Sequence, residues 1–456
     1  MRDYETPPII RTGYEKGQTR GMRSGLCVQC RGVQVLIALV VAAVLPLAAC
    51  SAISTCSNVT RSLPAPQLVV ANGVVYGVAQ QLDAWSATSG ALLWQTGLRA
   101  DLRYSAPVVV GGVIYVSTGA STGASTVLAW RAATGAVLWQ SRPTPIGYGS
   151  GDVAVPPPVI AGGVVYAGSG AGAIAAWRAS DGALLWQSLA VAEVRPDGAT
   201  YARSIPVPVV AGGMVYYSAA NVVTALRARD GQRIWQFGAP GTGAAPLSAP
   251  AVASGNVYVA AGDASAFALN GQTGARLWHA RPVGSANAGG SAPDLLVYGA
   301  AAYLTTRDGM VAALRLSDGA LLWRFPVPGM PPYLAARRVG AALLVGSASG
   351  IYALNAANGG LIWQAGANLG GSDAALLVAG GTVYAMGQAY LFAWRASDGA
   401  FLWQFGQANT PPFTATDTMV YIGVPGTIAT CGQTGTPNVV ISLLGGTGTV
   451  GWRADA

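Results

Sequence analysis

Apolar residues in this chain come in short runs punctuated by Gly-Gly, Asn-Gly and Asp-Gly pairs, and the runs are rich in Val, Leu, Tyr and Trp. The stretch from Pro158 illustrates the pattern. Pro158 to Ala161 stops at Gly162-Gly163, Val164 to Gly168 follows, then Ala173 to Trp177, and after Asp181-Gly182 comes Ala183 to Gln187. Such runs between tight-turn pairs predict β-hairpins, because the central positions of those turns must accept positive φ. The runs are nearly continuously apolar rather than strictly alternating, which predicts sheets covered on both faces. Beyond residue 50 no stretch sustains a 3.6-residue period, so no helix is expected there.

The pattern recurs along the chain. AWRASDGALLWQ from Ala176 returns as AWRASDGAFLWQ from Ala393, with weaker copies from Ala84, Ala129 and Ala313. A Gly stands four residues before each of Trp94, Trp139, Trp186, Trp235, Trp278, Trp323, Trp363, Trp403 and Trp452, which are 40–49 residues apart. Upstream, each unit carries Gly-x-Val-Tyr or a relative, from Gly73–Tyr76 to Gly381–Tyr384, with looser versions ending at Tyr303, Leu344 and Tyr421. Four-stranded units of this length must stack on their neighbours to bury both faces, which predicts a β-propeller. The expected fold is therefore all-β, with eight or nine four-stranded blades built from nine sequence units over residues 64–456, after a linker at 51–63. The nine register-matched Trp read as wedges between blades. Trp85, Trp130, Trp177 and Trp394 stand where other units carry Leu226, Leu269, Leu314 and Leu354, and read as core filling.

The unit V-x-x-G-x-V-Y … A-[L/W] … [T/D]-G-x-x-x-W-Q is similar to the pyrroloquinoline-quinone-type (PQQ-like) repeat family over about residues 64–455. In that family the Trp is expected to dock on the adjacent blade near the preceding Gly. The resemblance implies two kinds of function. Quinoprotein dehydrogenases hold the quinone over a Trp in the central funnel, with calcium bound by Glu and Asn or Asp, an Asp as base and usually a disulfide between adjacent cysteines. Propeller lipoproteins of the outer-membrane β-barrel assembly machinery carry no cofactor and bind partners through loops on one face.

The first 50 residues read separately. Val33 to Ala49 is apolar with one Gln and no charge, preceded by Arg23 and Arg31. It is short for a membrane-spanning helix and long for the core of a signal peptide. The positive flank keeps the N-terminus cytoplasmic and predicts export of the rest. Leu47-Ala48-Ala49-Cys50 resembles a bacterial lipobox, which would make Cys50 the lipidation site, with Met22 as a candidate true start. The alternative is an uncleaved hydrophobic anchor helix. Both place the propeller on the extracytoplasmic side of a membrane, in the periplasm or on the cell surface.

Charge and chemistry then narrow the function classes. Charged residues make up 10% of the chain and the net charge is +8, but no basic run occurs beyond Cys50, so nucleic acid is not an expected partner. Cys27 and Cys30 form a lone CxxC pair, and whether Cys56 and Cys431 pair stays open. No two cysteines are adjacent, and the only Glu after the leader is Glu193. Asp181, Asp230, Asp318 and Asp398 share one turn position, where Asp stabilises the turn. Asp263, Asp294, Asp308 and Asp373 stand isolated. His279, the sole histidine, occupies a position where six units have Gln. No catalytic, cofactor or metal site is therefore expected, against the six to eight oxygen ligands calcium takes. Clustered polarity gathers in longer loops between units three and four, at Tyr148, Asp152, Glu193, Arg195, Asp197 and Arg203. These are the candidate interaction residues. The expectation is a monomeric, non-enzymatic scaffold for a protein partner in the cell envelope. The alternatives are a quinone- and calcium-dependent dehydrogenase, and a glycan-binding propeller using Tyr104, Tyr148 and Tyr201.

Overall fold

The computed structural model describes residues 61–99, 102–120, 125–142, 155–168, 173–188, 207–219, 221–239, 246–282, 294–306, 309–328, 335–366, 369, 376–387, 390–406, 412–428 and 436–456. The unit Met1–Thr55 lies outside them, and with it Cys50 and the Val33–Ala49 stretch. The unit Cys56–Ala456 is a ring of nine antiparallel sheets in chain order, over residues 67–97, 102–140, 159–187, 209–238, 251–280, 294–326, 335–366, 376–406 and 413–455. We number them blades 1 to 9. The sequence left eight or nine open, and the answer is nine. The described residues contain no helix.

Each blade is a meander of four strands, inner to outer. Blade 3 shows the pattern with Val159–Ala161, Val164–Gly168, Ile174–Arg178 and Leu184–Gln187. These bounds fall within a residue of those drawn from the Gly-Gly and Asp-Gly punctuation. In blade 2 the inner strand is interrupted, and Leu102–Tyr104 and Val108–Val110 both pair with Val113–Ala120. Inner strands of neighbouring blades approach one another, those of blades 9 and 1 included, so they surround the hub. Second and third strands are buried, whereas the outer strand keeps little besides its Trp from solvent.

The core is correspondingly divided. Each of the nine seams has its own apolar cluster, such as Tyr166, Ile174, Trp186, Val215, Tyr217 and Leu226 between blades 3 and 4. Every sheet is thus covered on both faces, which is why its strands read as continuous apolar runs. None of the nine blade sheets mixes strands from the two ends of the ring. Among the described residues, backbone pairing between those ends is a short two-stranded clip. Arg61 and Ser62 pair with Ile428 and Thr427, and Leu63 N–H donates to the Gly426 carbonyl at 2.9 Å.

Candidate functional site

The repeated Trp docks at an equivalent point in every seam. The indole N–H of Trp186 donates to the Ala228 carbonyl of the next blade at 2.8 Å, and that of Trp235 donates to Gly271 at 2.8 Å. In six seams the Tyr of Gly-x-Val-Tyr reaches the same oxygen, as Tyr216 does at Gly271 (3.2 Å). The acceptor residue in turn donates its own N–H to the inner turn of its blade, Ala228 to Gly213 and Gly271 to Gly255. The two motifs seen in the sequence are therefore halves of one lock. Closure uses the same parts: Tyr421 and Trp452 both donate to Ala87 of blade 1 at 3.0 Å. Blade 7 lacks the Tyr, having Leu344, and its Trp363 holds Ala396 alone.

The Gly four residues before Trp is required twice over. Its φ lies between +68° and +73° in all nine blades, where only Gly is unstrained. The Trp of the preceding blade also lies flat against it. A Cβ on Gly90 would stand 2.6 Å from Trp452 Cδ2, and one on Gly274 2.6 Å from Trp235 Cδ2. Before the Gly, an oxygen-bearing side chain always accepts the N–H two residues on. Asp181, Asp230, Asp318 and Asp398 do so at 3.0–3.1 Å and also pair with Arg178, Arg227, Arg315 and Arg395. That backbone hydrogen bond, with the arginine, holds each carboxyl below its ordinary range. Elsewhere Ser89, Thr134, Thr273, Asn358 or Thr447 takes the place of Asp.

These turns all lie on one face of the ring, because inner-to-second and third-to-outer connections leave from the same ends of the strands. Every third-to-outer connection has five residues, as between Arg178 and Leu184. The other face is built differently. Its second-to-third connections run from two residues (Ala219 to Val222) to fourteen (Val424 to Val439). Its outer-to-inner connections run from four (Gly97 to Leu102) to twenty-one (Gln187 to Val209). We call these the turn face and the loop face. Tyr148, Asp152, Glu193, Arg195, Asp197, Arg203 and Tyr201 lie outside the described residues, as do Cys56 and Cys431. They belong to outer-to-inner connections, apart from the two cysteines. One correction follows from the strand ends: the loop containing Tyr148 and Asp152 leaves the outer strand Val137–Gln140 and joins blades 2 and 3, while only the loop with Glu193 to Arg203 joins blades 3 and 4.

Other singled-out residues have ordinary duties. Tyr104 exchanges hydrogen bonds with the Arg99 backbone, accepting its N–H at 2.9 Å. His279 stacks on Phe267, centroids 4.5 Å apart and nearly parallel, over the blade 4–5 seam. Burial, then Arg276, lowers its pKa, which favours the neutral ring. Asp263 accepts the Ser265 N–H and hydroxyl at 3.0 Å and pairs with Arg281, which locks a loop-face turn. Burial opposes ionisation there, but these partners still hold the carboxyl low.

The quinone and calcium that the repeat resemblance implies do not fit the described hub. All thirteen Trp are described, nine on outer strands and four on third strands, so none stands on an inner strand to floor a funnel. Among the described residues the charged inner-strand positions are Arg103, Asp294, Arg337 and Arg338. Arg338 is spent on the Gly340 carbonyl, the Tyr303 hydroxyl and the face of Tyr298. That leaves one carboxylate, and no group of three His, Cys, Asp or Glu is assembled among the described residues.

One acidic residue escaped the sequence reading. Asp83 interrupts the third strand of blade 1, Gln81–Ser86, and is 2% exposed. Aligning the nine third strands would have flagged it, since the matching positions carry Leu128, Ala175, Thr224, Phe267, Ala312, Tyr352, Phe392 and Ile441.

Fold and lock together define a propeller of PQQ-like repeats. The chain belongs to the family described as outer membrane protein assembly factor BamB, whose model matches residues 56–145, 123–249, 241–346 and 347–456. Among solved structures it is similar to Sqt1 of Saccharomyces cerevisiae, with a TM-score of 0.52 at 14% identity over 72% of this chain and 95% of that one. BamB of Moraxella catarrhalis gives 0.49 at 18% identity over 75% and 97%. Among characterised relatives, tetrathionate hydrolase of Acidithiobacillus ferrooxidans is 29% identical over 152 residues, 27% of this chain, and that match spans 29% of the hydrolase.

Proposed function

We propose that this chain is a non-enzymatic propeller, tethered to the extracytoplasmic side of a membrane by its first 50 residues or by a lipid on Cys50, that serves as a scaffold for a protein partner. Partner binding is assigned to the loop face. The observation that carries this reading is the concentration of length variation on one face: five-residue third-to-outer and two- or three-residue inner-to-second connections on one side, and connections of two to twenty-one residues on the other. A rigid ring that varies its loops on a single side is built to present them. Membership of the BamB family supports the envelope setting, and inner strands that carry no Trp and, among the described residues, one carboxylate favour a scaffold over a dehydrogenase.

The test is chemical crosslinking of the full chain in its own membranes, followed by purification. Enrichment of outer-membrane assembly factors is expected, along with loss of that enrichment in a Glu193→Ala/Arg195→Ala/Asp197→Ala variant. Pyrroloquinoline quinone with calcium should leave the Tm unchanged and support no dye reduction with alcohols or sugars. A rise in Tm with turnover, or hydrolysis of tetrathionate by the purified chain, would overturn the scaffold reading.

A further inference from the structure

At the closing seam blade 1 carries an acid, Asp83, at a third-strand position where the other eight blades carry none. Successive residues of a strand point to opposite faces. On blade 1, Leu82 and Ala84 pack toward blade 2, while Val75 and Trp85 pack toward Tyr421, Val440 and Trp452 of blade 9. Asp83 has the parity of Trp85 and so points into the closing seam. Its strand neighbours in register are Gly77 and Gln95, and Leu68 pairs across from Gly77 on the same face. The carboxyl is buried, and its Oδ1 has no hydrogen-bond partner. A buried oxygen without a donor carries the cost of desolvation, and a buried charge without a counter-ion costs far more.

Among the described side chains, no basic group faces Asp83 from the blade strands packed around it. On blade 1 the inner and outer strands, Gln67–Ala71 and Leu92–Gly97, contain no titratable residue, and Tyr76 of the second strand packs toward blade 2. On blade 9 the titratable side chain in the seam is Tyr421, whose hydroxyl is committed to the Ala87 carbonyl. Arg453 and Asp455 alternate to the opposite face from Trp452 and Ala454.

We propose that Asp83 is a proton-dependent latch: with its carboxyl protonated blades 1 and 9 close, and loss of the proton places an unpaired charge in the one seam that joins the two ends of the ring. Burial pushes this carboxyl up to about 7, against a smaller opposing hydrogen bond from the Gln81 side chain. The folded value is raised above the unfolded one. Its contribution to closure is therefore fully present below about pH 4 and is lost as pH rises through about 7. The latch makes the ring tightest in an acidic compartment, independently of which partner the loop face takes.

Hydrogen exchange of the full chain between pH 5 and 8, corrected for intrinsic rates, tests it. Opening of strands Gln81–Ser86 and Val439–Leu444 is expected to rise about a hundredfold in the wild type relative to Asp83→Asn. Strands of the blade 3–4 seam should show no such difference. Asp83→Thr, which copies Thr224 of blade 4, guards against failure of the Asn variant to fold. Transfer of the acid to blade 3 by Ala175→Asp should move the pH-dependent opening to the blade 2–3 seam. Equal pH dependence in the wild type and in both Asp83 variants would overturn the latch.

Discussion

The two faces of this ring are made from the same nine repeats and yet obey different rules. On the turn face each blade repeats one construction: an oxygen side chain, a Gly at φ near +70°, and a carbonyl that receives the Trp and usually the Tyr of the preceding blade. A change there alters a turn and a seam at once, so length and residue type are held fixed. On the loop face no equivalent lock recurs among the described residues, and its connections vary from two residues to twenty-one. The difference separates two jobs. Seam geometry is set from the turn face, and the loop face is free of that constraint.

Substitutions can break this contrast, and the largest effect is expected where a Trp is removed. Trp452→Ala should cost about 3–5 kcal/mol, read as loss of Tm, because it empties the closing seam and leaves Ala87 short of a donor. Trp186→Ala should cost a similar amount, since the lock is the same. Next comes Gly274→Ala, at about 2–3 kcal/mol: the residue would be held at φ +71° with its methyl against Trp235. Tyr216→Phe removes only the second donor to Gly271 and should cost about 1 kcal/mol by denaturant titration. His279→Gln should change stability by less than about 0.5 kcal/mol, since the ring is exposed and other blades carry Gln there. If Tyr216→Phe proved as damaging as Trp186→Ala, the indole would not be the principal half of the lock.

The turn face was legible in the sequence because its parts recur in register. Gly-Gly and Asp-Gly pairs mark positive φ directly, and Trp186 and its eight counterparts announce the seams by number and spacing. What the sequence hid was the convergence of Tyr216 and Trp235 on one carbonyl, since Gly271 accepts through its backbone and any residue would supply that oxygen. Asp83 was hidden for the opposite reason. It is a single departure inside a repeat, and its meaning depends on the parity of strand Gln81–Ser86 and on blade 9, which lies far away in the chain but adjacent in space. The blade count was undecided for a related reason: the last unit holds a fourteen-residue connection between Val424 and Val439, which obscures its second and third strands until their pairing is seen. The loop-face residues Glu193, Arg195 and Asp197 carry no repeat signal, so polarity alone marks them.

Site-specific photocrosslinking in native membranes measures the contrast between faces most directly. A photoreactive residue at position 195, in the connection joining blades 3 and 4, is compared with one at Ser397, in the third-to-outer turn of blade 8. The account predicts adducts to an outer-membrane assembly factor from position 195 and none from position 397. Adducts formed from position 397 alone would contradict it.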